Sequence, residues 1–320
     1  MALRIGLIGA GANTASQHIP GFQRAGAEVA AVVNRSRESS QRIADQFGIP
    51  RVFDTPEALC ADPDIDAVCI GTWPYKHREY SIMALEAGKH VLCEARMAMD
   101  LEEAEDMLEA SERNPGLVAQ LVPAPFDFRL GPTITRMIND GELGEVHDVA
   151  VRVLNPSSLD RSAPLHWRMR ADYSGKNVMM FGIFVEVIQR WLGDHAHVHA
   201  DGDIVVTERM NPETGAPAAV TVPDVYVITG KLRRGARITY HFSSVAAGGE
   251  PNGITVFGTK GTIRWRVGDT AEFVPLGGQA TPIEPDPGTD RGWRVEEDFV
   301  ASVTNRAPVT LTSFPDGVRY

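Results

Sequence analysis

Gly9-Ala10-Gly11-Ala12-Asn13-Thr14 is the first segment whose residue types and spacing imply chemistry. It follows an apolar run, Arg4-Ile5-Gly6-Leu7-Ile8, that reads as a buried strand. Gly9 permits a tight turn, and Gly11 lets backbone N–H groups approach a pyrophosphate. The helix opened by Ala12, Asn13 and Thr14 would add its N-terminal dipole. Thr14 replaces the third glycine of the usual pattern. Context carries the reading, because the turn leaves a strand, opens a helix and begins a βαβ unit. The second apolar run ends at Val33, and Asn34-Arg35-Ser36-Arg37 follows. An NAD site would offer Asp or Glu there for the ribose hydroxyls. Here, beside the neutral Asn34, Arg35 would stack on adenine while Ser36 and Arg37 bind a 2′-phosphate. NADP(H) is therefore expected over NAD(H); a solvated basic loop is the alternative.

Buried elements must position these residues. Residues 4–8, 28–33, 67–70, 90–93 and 117–122 are apolar without alternation, as strands covered on both faces of a parallel sheet are. Helical segments are expected at Arg37–Phe47, stopped by Gly48, at Arg78–Ala87, stopped by Gly88, and at Leu101–Arg113, opened by Asp100. This alternation predicts a doubly wound α/β domain over residues 1–122. Pro123-Ala124-Pro125 reads as a linker into a second α/β domain, residues 123–320. Helices are expected there at Thr133–Asp140 and Asn177–Leu192. Strands are expected at 146–154, 225–232, 237–242, 253–258 and 261–267. They would form a large, mainly antiparallel sheet with one face open. Residues 275–292, rich in Pro, Gly and Asp, read as a long loop.

Composition bounds the rest. The 320 residues are 43% apolar and 23% charged, ordinary globular usage for about two domains. A net charge of −11 argues against nucleic acid and anionic membrane as partners. No apolar run approaches the ~18 residues of a membrane span, and Met1 to Ile5 runs straight into a strand without a leader. Cys60, Cys69 and Cys93 make neither a disulfide framework nor a zinc spacing. His195, His197 and His199 alternate, but no neighbouring ligand set completes a metal site. A cytoplasmic protein acting on a small molecule, without a structural metal, is expected.

The chain resembles the Gfo/Idh/MocA oxidoreductases over nearly its whole length. The carriers are Gly9-Ala10-Gly11, Asp64 to Ile70, Thr72 to His77, the specific run Ala84 to Glu94, Gly258-Thr259-Lys260-Gly261-Thr262 and Leu311-Thr312-Ser313-Phe314. The resemblance implies a Rossmann domain and a second domain whose open sheet serves oligomerisation, as a homodimer or homotetramer. It implies hydride transfer between a nicotinamide and a sugar, cyclitol or related alcohol. It places Thr72, His77 and Glu94 at the cofactor. Family members continue from a Leu-Thr-Ser-Phe segment into a helix packed on the first domain; here, by Tyr320, that helix is expected to have barely begun.

The family's proton chemistry rests on a Lys in a Glu-Lys-Pro motif and on an Asp and a His four residues apart on a helix. Here the motif reads Glu94-Ala95-Arg96, and alignment on Gly182 puts Met180 and Phe184 at the other two positions. Positions i and i+4 share a helix face, so an apolar face toward the nicotinamide is expected. Arg96 would hold a substrate carboxylate or form a surface ion pair. Family members carry a Trp-Arg segment facing substrate, which maps to Trp167 and Arg168. Lys176, four residues before Met180, is the first candidate proton carrier, with His166 and Tyr173 next. Glu186 faces elsewhere on the helix and reads as structural. A non-redox enzyme, such as a decarboxylase or hydro-lyase, or a non-catalytic binding protein is the alternative function.

Overall fold

The computed structural model describes residues 2–176, 181–249 and 251–320. The chain divides into two compact units, Met1–Pro123 with Arg294–Arg319, and Ala124–Trp293 with Tyr320.

The first unit holds β1 (Arg4–Ile8), β2 (Glu28–Val33), β3 (Arg51–Val52), β4 (Ala67–Ile70), β5 (His90–Cys93) and β6 (Ala119–Leu121). They form one parallel sheet in the order β3-β2-β1-β4-β5-β6, the doubly wound order. Ile5, Leu7, Val68, Ile70, Val91 and Leu92 are fully buried, which accounts for runs that are apolar rather than alternating. Between the strands lie a π-helical turn (Thr14–His18), α1 (Ile19–Arg24), α2 (Arg37–Phe47), α3 (Pro56–Ala61), α4 (His77–Glu86) and α5 (Leu101–Arg113). Ser36 caps α2 by accepting the Ser39 N–H, and Gly48 ends it at φ +68°. Asp100 caps α5 in the same way.

The second unit holds α6 (Gly131–Asn139), β7 (Val146–Leu154), the one-turn α7 (Ala171–Ser174) and α8 (Phe181–Leu192). After these come β8 (His195–Asp203), β9 (Glu208–Met210), β10 (Pro217–Ala219), β11 (Val225–Leu232) and β12 (Arg237–Ser243). β13 (Gly253–Gly258), β14 (Gly261–Arg266), β15 (Thr270–Pro275) and β16 (Thr281–Pro282) complete it. Eight of these strands form a sheet in the order β16-β15-β14-β13-β7-β12-β11-β8. Every pairing is antiparallel except β7 with β12. Phe184, Val187, Ile188 and Trp191 of α8 bury one face of it around Trp265. Arg237, Thr239 and Val227 on the opposite face are exposed.

Several expectations need correction. A single cut near residue 122 fails, because α9 (Val295–Asn305) and α10 (Phe314–Arg319) return to the first unit. Phe299 meets Phe22 edge-on at 6.2 Å, and the Leu121 N–H donates to the Thr312 carbonyl at 2.8 Å. Residues 275–292, expected to be loop throughout, contain the end of β15 and all of β16. β8 went unread, since its residues after His195 are all exposed and leave no apolar face to see. The expected start of α8 at Asn177 and the Met180 position lie outside the described residues. Among the described residues no helix is long and apolar enough to cross a membrane.

Candidate functional site

The nucleotide turn is built from β1 outward. The Gly9 N–H donates to the Val33 carbonyl at 2.9 Å, and Gly9 adopts φ +84°, a conformation that favours glycine. A Cβ on Gly9 would lie 2.6 Å from the Thr72 methyl. Gly11 is different. A Cβ there would meet nothing nearer than the Gly71 carbonyl at 3.9 Å, so its front is open. Gly11, Ala12 and Asn13 are exposed, while Thr14 is buried with its hydroxyl toward the Gly9 carbonyl at 3.4 Å. The Thr72 hydroxyl is buried beside this turn with no hydrogen-bond partner. An open backbone cradle next to an orphaned hydroxyl fits a dinucleotide.

The loop after β2 is more committed than its sequence suggests. Asn34 Oδ1 accepts the Ala10 N–H at 2.6 Å, and its amide donates to the Ser39 carbonyl at 3.2 Å. Asn34 thus ties the turn to α2. Ser36 is spent on the cap, and Arg37 pairs with Asp54 at the surface. Arg35 is exposed.

Glu94, at the end of β5, accepts from the Asn13 amide and, at 2.9 Å, from His18 Nε2. The other ring nitrogen of His18 lies 2.5 Å from Glu296 Oε1 on α9. His18 and Glu296 are fully buried. Burial opposes an imidazolium, but hydrogen bonds to Glu296 and Glu94 prevail and raise the His18 pKa to about 9. Burial likewise opposes the Glu94 carboxylate, and the His18 bond prevails, holding its pKa below the usual range. A Cβ on Gly21 would overlap the Glu296 carboxylate, so glycine makes the room. Sequence reasoning missed His18 and Glu296. The signal was a histidine in the first turns after a nucleotide loop and a lone stretch of three acids, Glu296-Glu297-Asp298, opening a helix.

His77 is fully buried, with Nδ1 2.8 Å from the Arg96 carbonyl and Nε2 3.0 Å from the Thr72 carbonyl. Burial lowers its pKa. It joins the loops after β4 and β5 and shows no nitrogen to solvent, so neither ring nitrogen is presented to a cofactor. Ala95 and Arg96 follow Glu94 on the second of these loops and are partly exposed.

In the second unit His166, Arg168, Asn155, Arg209, Asp224 and Phe242 line a cavity of about 370 Å³. His166 Nδ1 accepts the Arg168 N–H at 3.3 Å, which leaves the Nε2 proton outward in the neutral ring. Burial, aided by the nearby Arg168 charge, lowers the His166 pKa. The Arg168 guanidinium lies over the Trp167 ring at 4.3 Å. Tyr173 sits instead beneath Arg170 at 4.1 Å, and neither it nor Lys176 lines the cavity. Lys176 is exposed, and its carbonyl accepts the Tyr226 hydroxyl at 2.8 Å. Phe184 does not show an apolar face to a cofactor. It is fully buried among Phe126, Phe242 and Trp265. Glu186 is structural as expected, accepting the Ala124 N–H at 3.0 Å and pairing with Arg190.

Two family models match the chain. One, described as the oxidoreductase family with an NAD-binding Rossmann fold, covers residues 3–120, and the GFO/IDH/MocA C-terminal domain covers 133–264. Inositol 2-dehydrogenase of Paracoccus denitrificans is 40% identical over 206 residues, 56% of this chain and 58% of that protein. 1,5-Anhydro-D-fructose reductase of Ensifer adhaerens is 33% identical over 180 residues, 55% and 52% of the two chains. The alignments thus span little more than half of these relatives. A structure of levoglucosan dehydrogenase with NADH and L-sorbose superposes with a TM-score of 0.87 at 21% identity, over 99% of this chain and 93% of that one. That likeness concerns the fold. With both domain models matched in sequence order on a doubly wound sheet and a large antiparallel one, the chain belongs to the GFO/IDH/MocA oxidoreductase family.

Proposed function

We propose that this protein is an NADP(H)-dependent oxidoreductase acting on an alcohol or carbonyl of a sugar-like or other cyclic small molecule. The observation that carries the reading is the open Gly11 cradle with the ionised Glu94 held beside it. When bound, a nicotinamide dinucleotide supplies the hydride acceptor or donor. The backbone of Gly9 to Asn13 and the dipole behind it hold the pyrophosphate. Glu94, kept as an acceptor by His18, receives hydrogen bonds from ribose hydroxyls, and Thr72 contributes its hydroxyl. Arg35, exposed on the loop after β2, stacks on the adenine, and Ser36 and Arg37 exchange their present partners, the Ser39 N–H and Asp54, for a 2′-phosphate. His166 Nε2–H, Trp167 and Arg168 orient the substrate. Lys176, exposed and outside the cavity, is the first proposed proton carrier, with His166, which lines it, second and Tyr173 third.

The names of the relatives support a polyol or sugar substrate, since they include inositol and anhydrofructose enzymes. The second reading, a non-redox enzyme on this scaffold, is favoured by one observation. Ala95 is small and apolar and Phe184 is a core residue; by the resemblance these are the positions where the family carries protons, and a lost acid or base costs ~10²–10⁴ in rate. Calorimetry with NADPH and NADH, then absorbance at 340 nm with sugars, cyclitols and their oxidised forms, tests the proposal. Expected are at least tenfold tighter NADPH and slow turnover that falls further in Lys176→Ala. Equal affinities would refute the 2′-phosphate assignment. No absorbance change with any substrate, alongside normal cofactor binding, would favour the second reading.

A further inference from the structure

The π-helical turn after the nucleotide loop brings together two residues that an α-helix would separate. Asn13, just before the turn, and His18, its last residue, approach to 3.5 Å. Five residues apart on an α-helix, they would point about 140° away from each other. The wider π-turn sets them side by side. Both donate to Glu94 Oε1, His18 through Nε2 at 2.9 Å, and Glu94 Oε2 accepts the Ala95 N–H at 3.2 Å. The Glu94 side chain is 16% exposed, whereas those of His18 and Glu296 are fully buried. The cluster therefore runs inward from the exposed Asn13 through Glu94 and His18 to Glu296 on α9.

The proton count follows from this geometry. Each ring nitrogen of His18 faces a carboxylate oxygen, Glu94 at 2.9 Å and Glu296 at 2.5 Å. A neutral imidazole has one N–H and one lone pair, so it satisfies one carboxylate and repels the other; the imidazolium donates to both. Two carboxylates and one imidazolium leave a single negative charge. Loss of the proton would leave two beside the turn that receives a pyrophosphate. Three further titratable groups lie in the field of these carboxylates, Cys69 of β4, Cys93 of β5 and His77 of α4. Burial pushes both thiols well up and holds His77 below the usual histidine range, so none of the three changes charge between about pH 7 and 10.

We propose, on the reading of Gly9 to Asn13 as the cofactor's cradle, that His18 as an imidazolium is the positioning residue that fixes Glu94 for the dinucleotide, so that cofactor affinity and the His18 proton are linked. When the proton leaves, the shorter contact keeps the remaining N–H on Glu296. Glu94 then loses His18 as a donor, and the second negative charge opposes the pyrophosphate. By reciprocity, a bound dinucleotide holds the proton on His18 to higher pH.

The test is calorimetric titration of the full chain with NADPH and with NADH from about pH 7 to 10, with circular dichroism at each pH to verify the fold. The imidazolium persists to about pH 9 in the folded chain. Affinity should be level below that pH and fall about fivefold or more by pH 10. Titration at about pH 9.5 in two buffers of different ionisation enthalpy should show proton uptake on binding. His18→Gln should bind several-fold more weakly at neutral pH, with neither the alkaline fall nor the uptake. Glu296→Gln keeps the shape and removes one carboxylate, and should move the fall down by about one pH unit. If His18→Gln does not fold, that shift decides. A pH-independent affinity in the wild type, the same fall in His18→Gln, or an unmoved fall in Glu296→Gln overturns the proposal while leaving cofactor binding in place. Absence of binding of either dinucleotide at every pH overturns both.

Discussion

At the scale of single residues, His18 makes the sharpest prediction. Its folded pKa, about 9, lies above the 6.5 of a free histidine. Its contribution is therefore complete below pH 6.5 and is lost as pH rises through 9, up to roughly 3 kcal/mol. Glu94, whose pKa is lowered, contributes above the ordinary carboxylate range and loses that contribution as pH falls through its folded value. Melting temperature should be highest near pH 6 and fall progressively between about pH 6.5 and 9. His18→Gln should melt lower and lack the alkaline drop. An identical alkaline drop in that variant would show that another group titrates. Phe184 supports a second prediction. Phe184→Ala should cost about 3–5 kcal/mol in urea unfolding while the folded variant binds NADPH as before, because the ring packs on Phe126, Phe242 and Trp265. A tenfold loss of NADPH affinity with stability intact would restore the cofactor-facing reading of that position.

At the scale of elements, two glycines around the nucleotide turn should behave oppositely. A methyl on Gly71 would overlap the Thr14 hydroxyl and the Gly9 carbonyl, so Gly71→Ala should destabilise by about 1–3 kcal/mol. Gly11→Ala meets no neighbour within 3.9 Å and should melt normally yet lose NADPH affinity by tenfold or more. Melting curves and fluorescence titration separate the two, and normal affinity in Gly11→Ala would move the pyrophosphate elsewhere. The same elements show what a sequence reveals. β1, β2, β4 and β5 were legible because both faces are covered and every residue type says so. Gly9 and Gly11 were legible because turn chemistry is local. β8 was not, since pairing with β11 rather than burial makes it a strand. Glu296 was not, because its partner His18 lies 278 residues away and no periodicity reports that distance. Ser36 and Arg37 were recognised as basic and polar, but their local partners, the Ser39 N–H and Asp54, emerged only from the folded loop.

At the scale of the whole molecule, the uncovered face of the eight-stranded sheet, with Val227, Arg237 and Thr239 exposed, motivates the proposal of a homodimer or homotetramer. Light scattering at micromolar concentration should give two or four times the monomer mass, and a single-chain mass would refute it. The return of α9 and α10 to the first unit has a different consequence, for synthesis. The first unit is begun first but cannot be completed until Arg294–Arg319 leave the ribosome. At about 5–20 residues per second, roughly 10–30 s separate the emergence of Pro123 from that of Arg294. Throughout that interval Phe22 has no Phe299 to cover it, and His18 faces Glu94 without its second carboxylate. The nascent first half should thus be sensitive to protease and attractive to chaperones until the tail arrives. A pulse of protease on stalled chains ending near residue 290 and on released full-length chains would display the difference.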